Sequence, residues 1–240
     1  MAQNTKTSPS KEHVWKMFDK ISSTYDSINR VLSFGIDKQW RKKMATFLPK
    51  GRKLKILDCA TGTCDQLIAF LEEKNTIHEA TGIDLASKML EIGKDKLKLK
   101  TYQKKVKLVE ASGMKIPFDE EVFDAASISF GIRNMDDPLL CLREIHRVLK
   151  KKGRILVLEF SLPKNKSIQT LHLFYLRHLL PRIGGMLSKN KKAYSYLNQT
   201  IETFPSGDAF CSLLKEAGFS EARAYPMTLG AVTIYIGDKK

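Results

Sequence analysis

The stretch Leu54-Lys55-Ile56-Leu57-Asp58-Cys59-Ala60-Thr61-Gly62-Thr63-Cys64-Asp65 decides the fold. Its first half is a short apolar run following the turn residues Pro49 and Gly51, which predicts a core strand ending near Cys59. Leu67, Ile68, Phe70 and Leu71 then recur at helical spacing, so a helix follows the loop around Gly62. A strand, a loop of small residues and a helix form the opening unit of a nucleotide-binding type of sheet.

Working outward, Ala80 to Leu85 predicts a second strand, and Ser87 is placed to cap a helix carrying Met89, Leu90, Leu97 and Leu99. Val106 to Val109 and Val122 to Phe130 predict strands three and four. A helix from about Asp137 to Leu149 is expected to end at Gly153 through a positive φ, before a fifth strand over Ile155 to Phe160. Strands that are apolar on both faces and alternate with helices argue a doubly wound, mostly parallel sheet. After Pro163 the rhythm breaks. Leu171 to Leu180 and Tyr194 to Phe204 read as an insertion, about 162–205, lying over the strand ends. Ser206 should cap a helix closed by Gly218, with Phe219 to Tyr225 and Ala231 to Ile236 as a final hairpin. Val14 to Leu48 precedes the first strand as helical segments bearing Trp15, Phe18, Tyr25, Phe34 and Trp40. Residues 1–50 are therefore expected as a helical lid on a domain of residues 51–240.

With 240 residues the chain can bury a substantial core, and no apolar run reaches the length of a membrane span. The polar start, Met1 to Ser10, lacks a secretory signal and makes the cytoplasm the default expectation. Cys59, Cys64, Cys141 and Cys211 form no CxxC pair and read as reduced thiols; no metal site is expected. A net charge of +15, with lysines concentrated at Lys94 to Lys107, Lys150 to Lys152 and Lys189 to Lys192, suits either solvated faces or an anionic surface. A nucleic-acid enzyme would need a basic stripe interleaved with stacking aromatics, and none is found.

In such a sheet ligands bind beyond the carboxyl ends of the strands. Ala60 and Gly62 let a ligand approach the backbone, and Asp84, ending the second strand, can accept two hydrogen bonds from ribose hydroxyls. The dinucleotide fingerprint G-x-G-x-x-G is absent. Asp58 and Asp65 would repel a pyrophosphate but tolerate an amino acid beside a sulfonium, which favours S-adenosylmethionine.

Motifs across nearly the whole chain resemble the ubiquinone/menaquinone biosynthesis C-methyltransferases. They include Met17-Phe18-Asp19 with Tyr25-Asp26 and Asn29, Asp58 to Thr63, Gly82-Ile83-Asp84, Phe130-Gly131-Ile132-Arg133-Asn134, Leu158-Glu159-Phe160-Ser161 and Tyr194-Ser195-Tyr196-Leu197. The resemblance implies a class I S-adenosylmethionine-dependent methyltransferase fold with a seven-stranded sheet. It also implies carbon methylation of a polyprenylated demethylquinol; another small molecule or RNA is the alternative substrate. The implied cofactor contacts are Asp58, Ala60, Thr61, Gly62, Thr63, Asp84, Leu85, Met89, Ser112, Gly113, Met114 and Ser129. Arg133 and Asn134, with Tyr25, are the implied catalytic residues, and Glu159 is a second candidate proton acceptor. Were Arg133 only structural, Asp136 or Asp137 would be its partner. Three residues depart from the family's pattern: Cys64 for glycine, Ser112 for an aspartate that reads the adenine amino group, and Tyr235 for histidine. The first two should weaken cofactor affinity.

His13, His78, His146, His172 and His178 sit in no motif and are assigned no role. Phe18 could be plain packing. Leu171, Leu173, Phe174, Tyr175, Leu176, Leu179 and Leu180 offer apolar cover for a prenyl tail, with Lys164, Lys166, Arg177 and Arg182 nearby. Candidate partners are the quinol, a peripheral contact with the anionic inner face of a membrane, and a second copy of the chain.

Overall fold

The computed structural model describes residues 11, 13–182 and 191–240, the side chains of 191–195 excepted. Lys189, the segment Met1 to Ser10, and the side chains of Lys191, Lys192, Tyr194 and Ser195 lie outside the described residues.

Seven strands form one sheet in the order β3-β2-β1-β4-β5-β7-β6. They are β1 (Leu54–Cys59), β2 (Ile77–Asp84), β3 (Val106–Glu110), β4 (Phe123–Ser129), β5 (Leu149–Phe160), β6 (Ser220–Met227) and β7 (Val232–Asp238). The first five pair in parallel, and β7 enters antiparallel between β5 and β6. Chain order reverses beside β1, the place where such a sheet opens a crevice at the carboxyl ends of β1 and β4.

Side-chain alternation along the strands builds two cores. On β5, Ile155 and Val157 join one cluster while Leu156 and Leu158 join the other. One face is covered by α5 (Pro138–Val148) and the later helix α8 (Asp208–Glu216), through Cys141, Leu142, Ile145, Phe210 and Leu214. The opposite face is covered by α2 (Asp37–Ala45), α3 (Asp65–Glu73) and α4 (Ser87–Lys98), through Trp40, Met44, Leu67, Phe70 and Leu97. Thus α2, although N-terminal to the sheet, packs into its core. A third cluster joins α1 (Val14–Leu32) to the insertion: Ile21 and Ile28 meet Leu176, Leu180 and Ile201. The insertion consists of α6 (Lys166–Phe174), a π-helical turn over Tyr175–Leu179, and α7 (Lys191–Thr203). Together α1 and the insertion roof the carboxyl ends of the strands.

Three local expectations are corrected. Gly153 does not end a helix; β5 begins at Leu149, and the positive φ falls on Lys152. A glycine is needed at 153 for space, because a Cβ there would lie 2.6 Å from the Lys150 carbonyl. Ser87 opens α4 without capping it; the cap residue is Ala86, and the carboxylate of Asp19 on α1 accepts the Lys88 N–H instead. Ser206 does not cap α8 either. The cap is Gly207, whose N–H donates to the Tyr235 hydroxyl at 2.8 Å. Tyr235 therefore serves the structure from β7, buried against Phe210.

Cys64 adopts left-handed φ of 67° at the start of α3, where a glycine would be unstrained. Its side chain is fully buried and packs on α4, so a Cβ on Gly93 would overlap the Cys64 sulfur. The thiol thus fills space that Gly93 leaves and points away from the crevice. Gly93→Ala should destabilise the protein by about 1–3 kcal/mol in urea unfolding through overpacking. Adding Cys64→Gly to that variant should recover most of the loss, and a neutral Gly93→Ala would refute this packing account.

Candidate active site

Two cavities lie beneath the roof. The first is a cleft of about 250 Å³ at the ends of β1, β2 and β4. Ala60, Gly62, Asp84, Leu85, Met89, Gly113, Met114 and Ser129 line it, as do Tyr25 and Asn134. Lys11, His13, Val14, Trp15, Ala111 and Asp136 line it too, and sequence reasoning missed them. The apolar pattern of α1, with Trp15 and Phe18 one turn apart, was the available signal for an element facing inward.

Asp58, Thr61, Thr63 and Ser112 do not line the cleft. Asp58 lies beneath it, 1% exposed, accepting hydrogen bonds from Thr61 Oγ1 at 2.7 Å and Ser127 Oγ at 2.5 Å. Burial pushes its carboxyl up to about 6, against the opposing effect of those two hydroxyls. Its work is to tie the loop to β4. Ser112 Oγ turns back to accept the Met114 N–H at 3.2 Å. Asp84 does reach the cleft: Oδ2 accepts the Gly62 N–H and Oδ1 the Ala86 N–H, each at 2.8 Å. Burial raises its pKa and these backbone donors lower it. Each carboxylate oxygen keeps a further lone pair for a ligand hydroxyl.

Ala60 and Phe130, the first residues after β1 and β4 at the cleft, both hold left-handed φ, 52° and 58°. Such backbone costs about 1–3 kcal/mol per residue and persists only where the surroundings enforce it. Here it swings the chain off both strands and opens the crevice.

The α1 helix is held over the cleft by charge. Thr63 Oγ1 donates to Asp26 on α1 at 2.6 Å, and Lys96 on α4 contacts Asp26 and Asp65, both at 2.6 Å. Burial would raise the pKa of Asp65, but Arg41, Lys96 and Arg30 together hold its carboxyl below the usual range. The charge of Asp65 thus belongs to the latch, and its expected influence on the ligand is replaced by pairing with Lys96. Lys96 is likewise an internal partner, unlike a solvated lysine.

The second cavity, about 260 Å³, is a chamber between α1, α2 and the insertion. Met17, Ile21, Leu32, Phe160, Leu176 and Leu180 make most of it apolar. Of the leucine and aromatic stripe expected to cover a tail, Tyr175, Leu176 and Leu180 face the chamber, whereas Leu171, Phe174 and Leu179 are exposed. Phe18, Tyr25 and Phe130 line both cavities and form the wall between them. Phe18 is therefore more than packing.

The turn Ile132–Asn134 serves both sides: Arg133 lines the chamber and Asn134 the cleft. Arg133 is 5% exposed and pairs with Glu159 at 2.6 Å, not with Asp136 or Asp137. Its Nη1 also donates to the Phe130 carbonyl at 2.8 Å. Burial raises the pKa of Glu159 and Arg133 lowers it. Glu159 lines neither cavity, so it stands behind Arg133 and does not face a bound ring. Asn134 accepts from the Tyr196 hydroxyl at 3.3 Å. Burial pushes the Tyr25 phenol upward, keeping it a neutral donor at neutral pH.

Several known proteins resemble this chain. Two solved structures share its fold at low identity: a possible histamine N-methyltransferase from Thermotoga maritima (TM-score 0.64, 18% identity, 94% of this chain and 100% of that one) and a putative methyltransferase from Methanococcus maripaludis (TM-score 0.61, 16%, 100% and 97%). At those identities they show the fold alone. The chain is 41% identical over 231 residues to the ubiquinone/menaquinone biosynthesis C-methyltransferase UbiE of Geotalea daltonii, covering 95% of this chain and 97% of that one. It is 38% identical over 234 residues to the demethylmenaquinone methyltransferase of Chlorobaculum tepidum, covering 96% and 93%. The model of the ubiE/COQ5 methyltransferase family matches residues 5–239, and the chain, with its seven-stranded sheet and roofed crevice, belongs to that family.

Proposed function

We propose that this methyltransferase places S-adenosylmethionine in the cleft and the ring of a polyprenylated demethylquinol in the chamber, and methylates a ring carbon across the wall they share. The observation that carries this reading is the pair of cavities meeting at Phe18, Tyr25 and Phe130. One is polar at Asp84 and Asn134, as a nucleoside and an amino acid require. The other is apolar and deep enough for a ring and the start of a tail.

The cleft residues fit the cofactor. Asp84 has acceptor capacity for ribose hydroxyls, Ala60 and Gly62 allow close backbone approach, and Leu85, Met89, Gly113 and Met114 supply apolar walls. When bound, S-adenosylmethionine supplies an electrophilic methyl group on a sulfonium. The chain's task is to align a ring carbon with that methyl and exclude water. A ring carbon becomes nucleophilic when the neighbouring hydroxyl loses its proton. The guanidinium of Arg133 favours that oxyanion, and an apolar surround strengthens its field. Asn134 and Tyr25 stand at the wall to orient the ring hydroxyl or a water that takes the departing ring proton.

The exposed apolar side chains Phe34, Leu171, Phe174 and Leu229 lie around the chamber, and Phe34 also lines it. We infer that this rim rests on the anionic inner face of a membrane and receives the prenylated substrate there. Arg177 contributes less charge than expected because Glu202 holds it at 2.7 Å. Among the described residues no helix is long and apolar enough to cross a membrane.

Labelled S-adenosylmethionine incubated with reduced demethylated naphthoquinol and benzoquinol should label the ring of at least one; label in neither would overturn the reading. With the better ring, Arg133→Ala combined with Glu159→Gln, which avoids stranding a buried charge, should lower kcat by about 10²-fold or more. Unchanged turnover would remove Arg133 from the chemistry.

A further inference from the structure

Among the described residues, three buried side-chain nitrogens on the chamber wall have no hydrogen-bond partner: Arg41 Nε, Arg133 Nε and His172 Nε2. Other polar groups of the chamber are engaged. Trp40 donates to Thr228, Tyr175 donates to the Leu32 carbonyl, and Asp37 is held by Arg30 and Ser33. A buried polar atom left unpaired costs about 1–3 kcal/mol, so such atoms are kept where a ligand completes them.

The three nitrogens differ in position and kind. Both guanidinium groups gather at the end of β4, where Arg41 lies over the Phe130 ring and Arg133 over the Phe160 ring. They are permanent donors. His172 belongs to α6, in the insertion, and shares a chamber-facing stripe with Tyr175 and Leu176. The helix widens into its π turn directly after Phe174, a distortion that often accompanies functional sites. Burial lowers the imidazole's pKa, favouring the neutral ring with one donor and one acceptor nitrogen.

We propose that His172 Nε2 binds the second oxygen of the substrate ring while the arginines hold the first, making His172 a specificity residue for rings with two oxygens in para relation. This assignment rests on the quinol reading above and deepens it. Anchoring both oxygens fixes the ring's long axis, so only its edge remains to be presented to Phe130 and Tyr25. A single anchor would leave the ring free to swing, and the wrong carbon could meet the methyl donor. The insertion thereby acts in recognition as well as in covering the tail.

The test compares two short-tailed prenylated rings under anaerobic conditions: a reduced demethylated naphthoquinol, and the same ring lacking the second hydroxyl. Their Kd values are measured on the S-adenosylhomocysteine complex of the full chain. Wild type should bind the two-oxygen ring about ten-fold tighter. His172→Phe should erase that difference, mostly by weakening the two-oxygen ring, and His172→Gln should restore part of it. Equal affinity for both rings in wild type, or undiminished discrimination in both variants, would overturn the assignment. If His172→Phe does not fold, the wild-type comparison and His172→Gln still decide it. Failure of wild type to bind either ring would count against the quinol reading itself, a separate outcome.

Discussion

The ion pair of Arg133 and Glu159 joins the end of β4 to the end of β5 with both partners almost wholly out of water. Burial raises the pKa of Glu159, and Arg133 opposes part of that rise. Removing one member of a buried pair strands the other and costs about 3–5 kcal/mol. What the pair secures is position. With Nη1 taken by Glu159 and the Phe130 carbonyl, the guanidinium is held rigidly in the chamber wall, while the next residue, Asn134, faces the cleft. One short turn thus presents a cation to one cavity and an amide to the other, and Phe130, in left-handed backbone, separates them.

The roof depends on weaker forces. In the latch, Asp26, Lys96 and Asp65 are each a quarter or so exposed, and partly exposed ion pairs contribute about 1 kcal/mol or less each. The apolar seam of Ile21, Ile28, Leu176, Leu180 and Ile201 holds α1 to the insertion more than to the sheet. Because Asp26 bonds to Thr63 and Asp19 to the Lys88 N–H, α1 closes over the same loops that bound the cleft.

Much of this was legible in the chain itself, for reasons that can be named. Short apolar runs, apolar on both faces, marked β1, β4 and the later part of β5, and the Asp84 carboxylate at a strand end marked the cleft. Motif resemblance pointed to Arg133 and Asn134, which no periodicity distinguishes. What escaped involves contacts between residues far apart in the chain. Asp58 looks like a ligand contact in sequence, yet it bonds to Ser127 below the loop. Lys96 sits among lysines that suggest a solvated face, yet its partners come from α1 and α3. His172 carries no motif; only folding of the insertion over the chamber gives it an aspect. Gly153 was misread because crowding against Lys150, and not backbone sign, demands a glycine there.

The account turns on one spatial claim, that donor and acceptor occupy different cavities and meet at a common wall. Its most direct test is a crystal structure of the chain with S-adenosylhomocysteine and a reduced short-tailed demethylated naphthoquinol. The account predicts the homocysteine sulfur in the cleft and the ring in the chamber, each touching Phe18, Tyr25 and Phe130, with Arg133 at a ring oxygen. A ring bound in the cleft, or outside the roof with the chamber closed to it, would contradict the account.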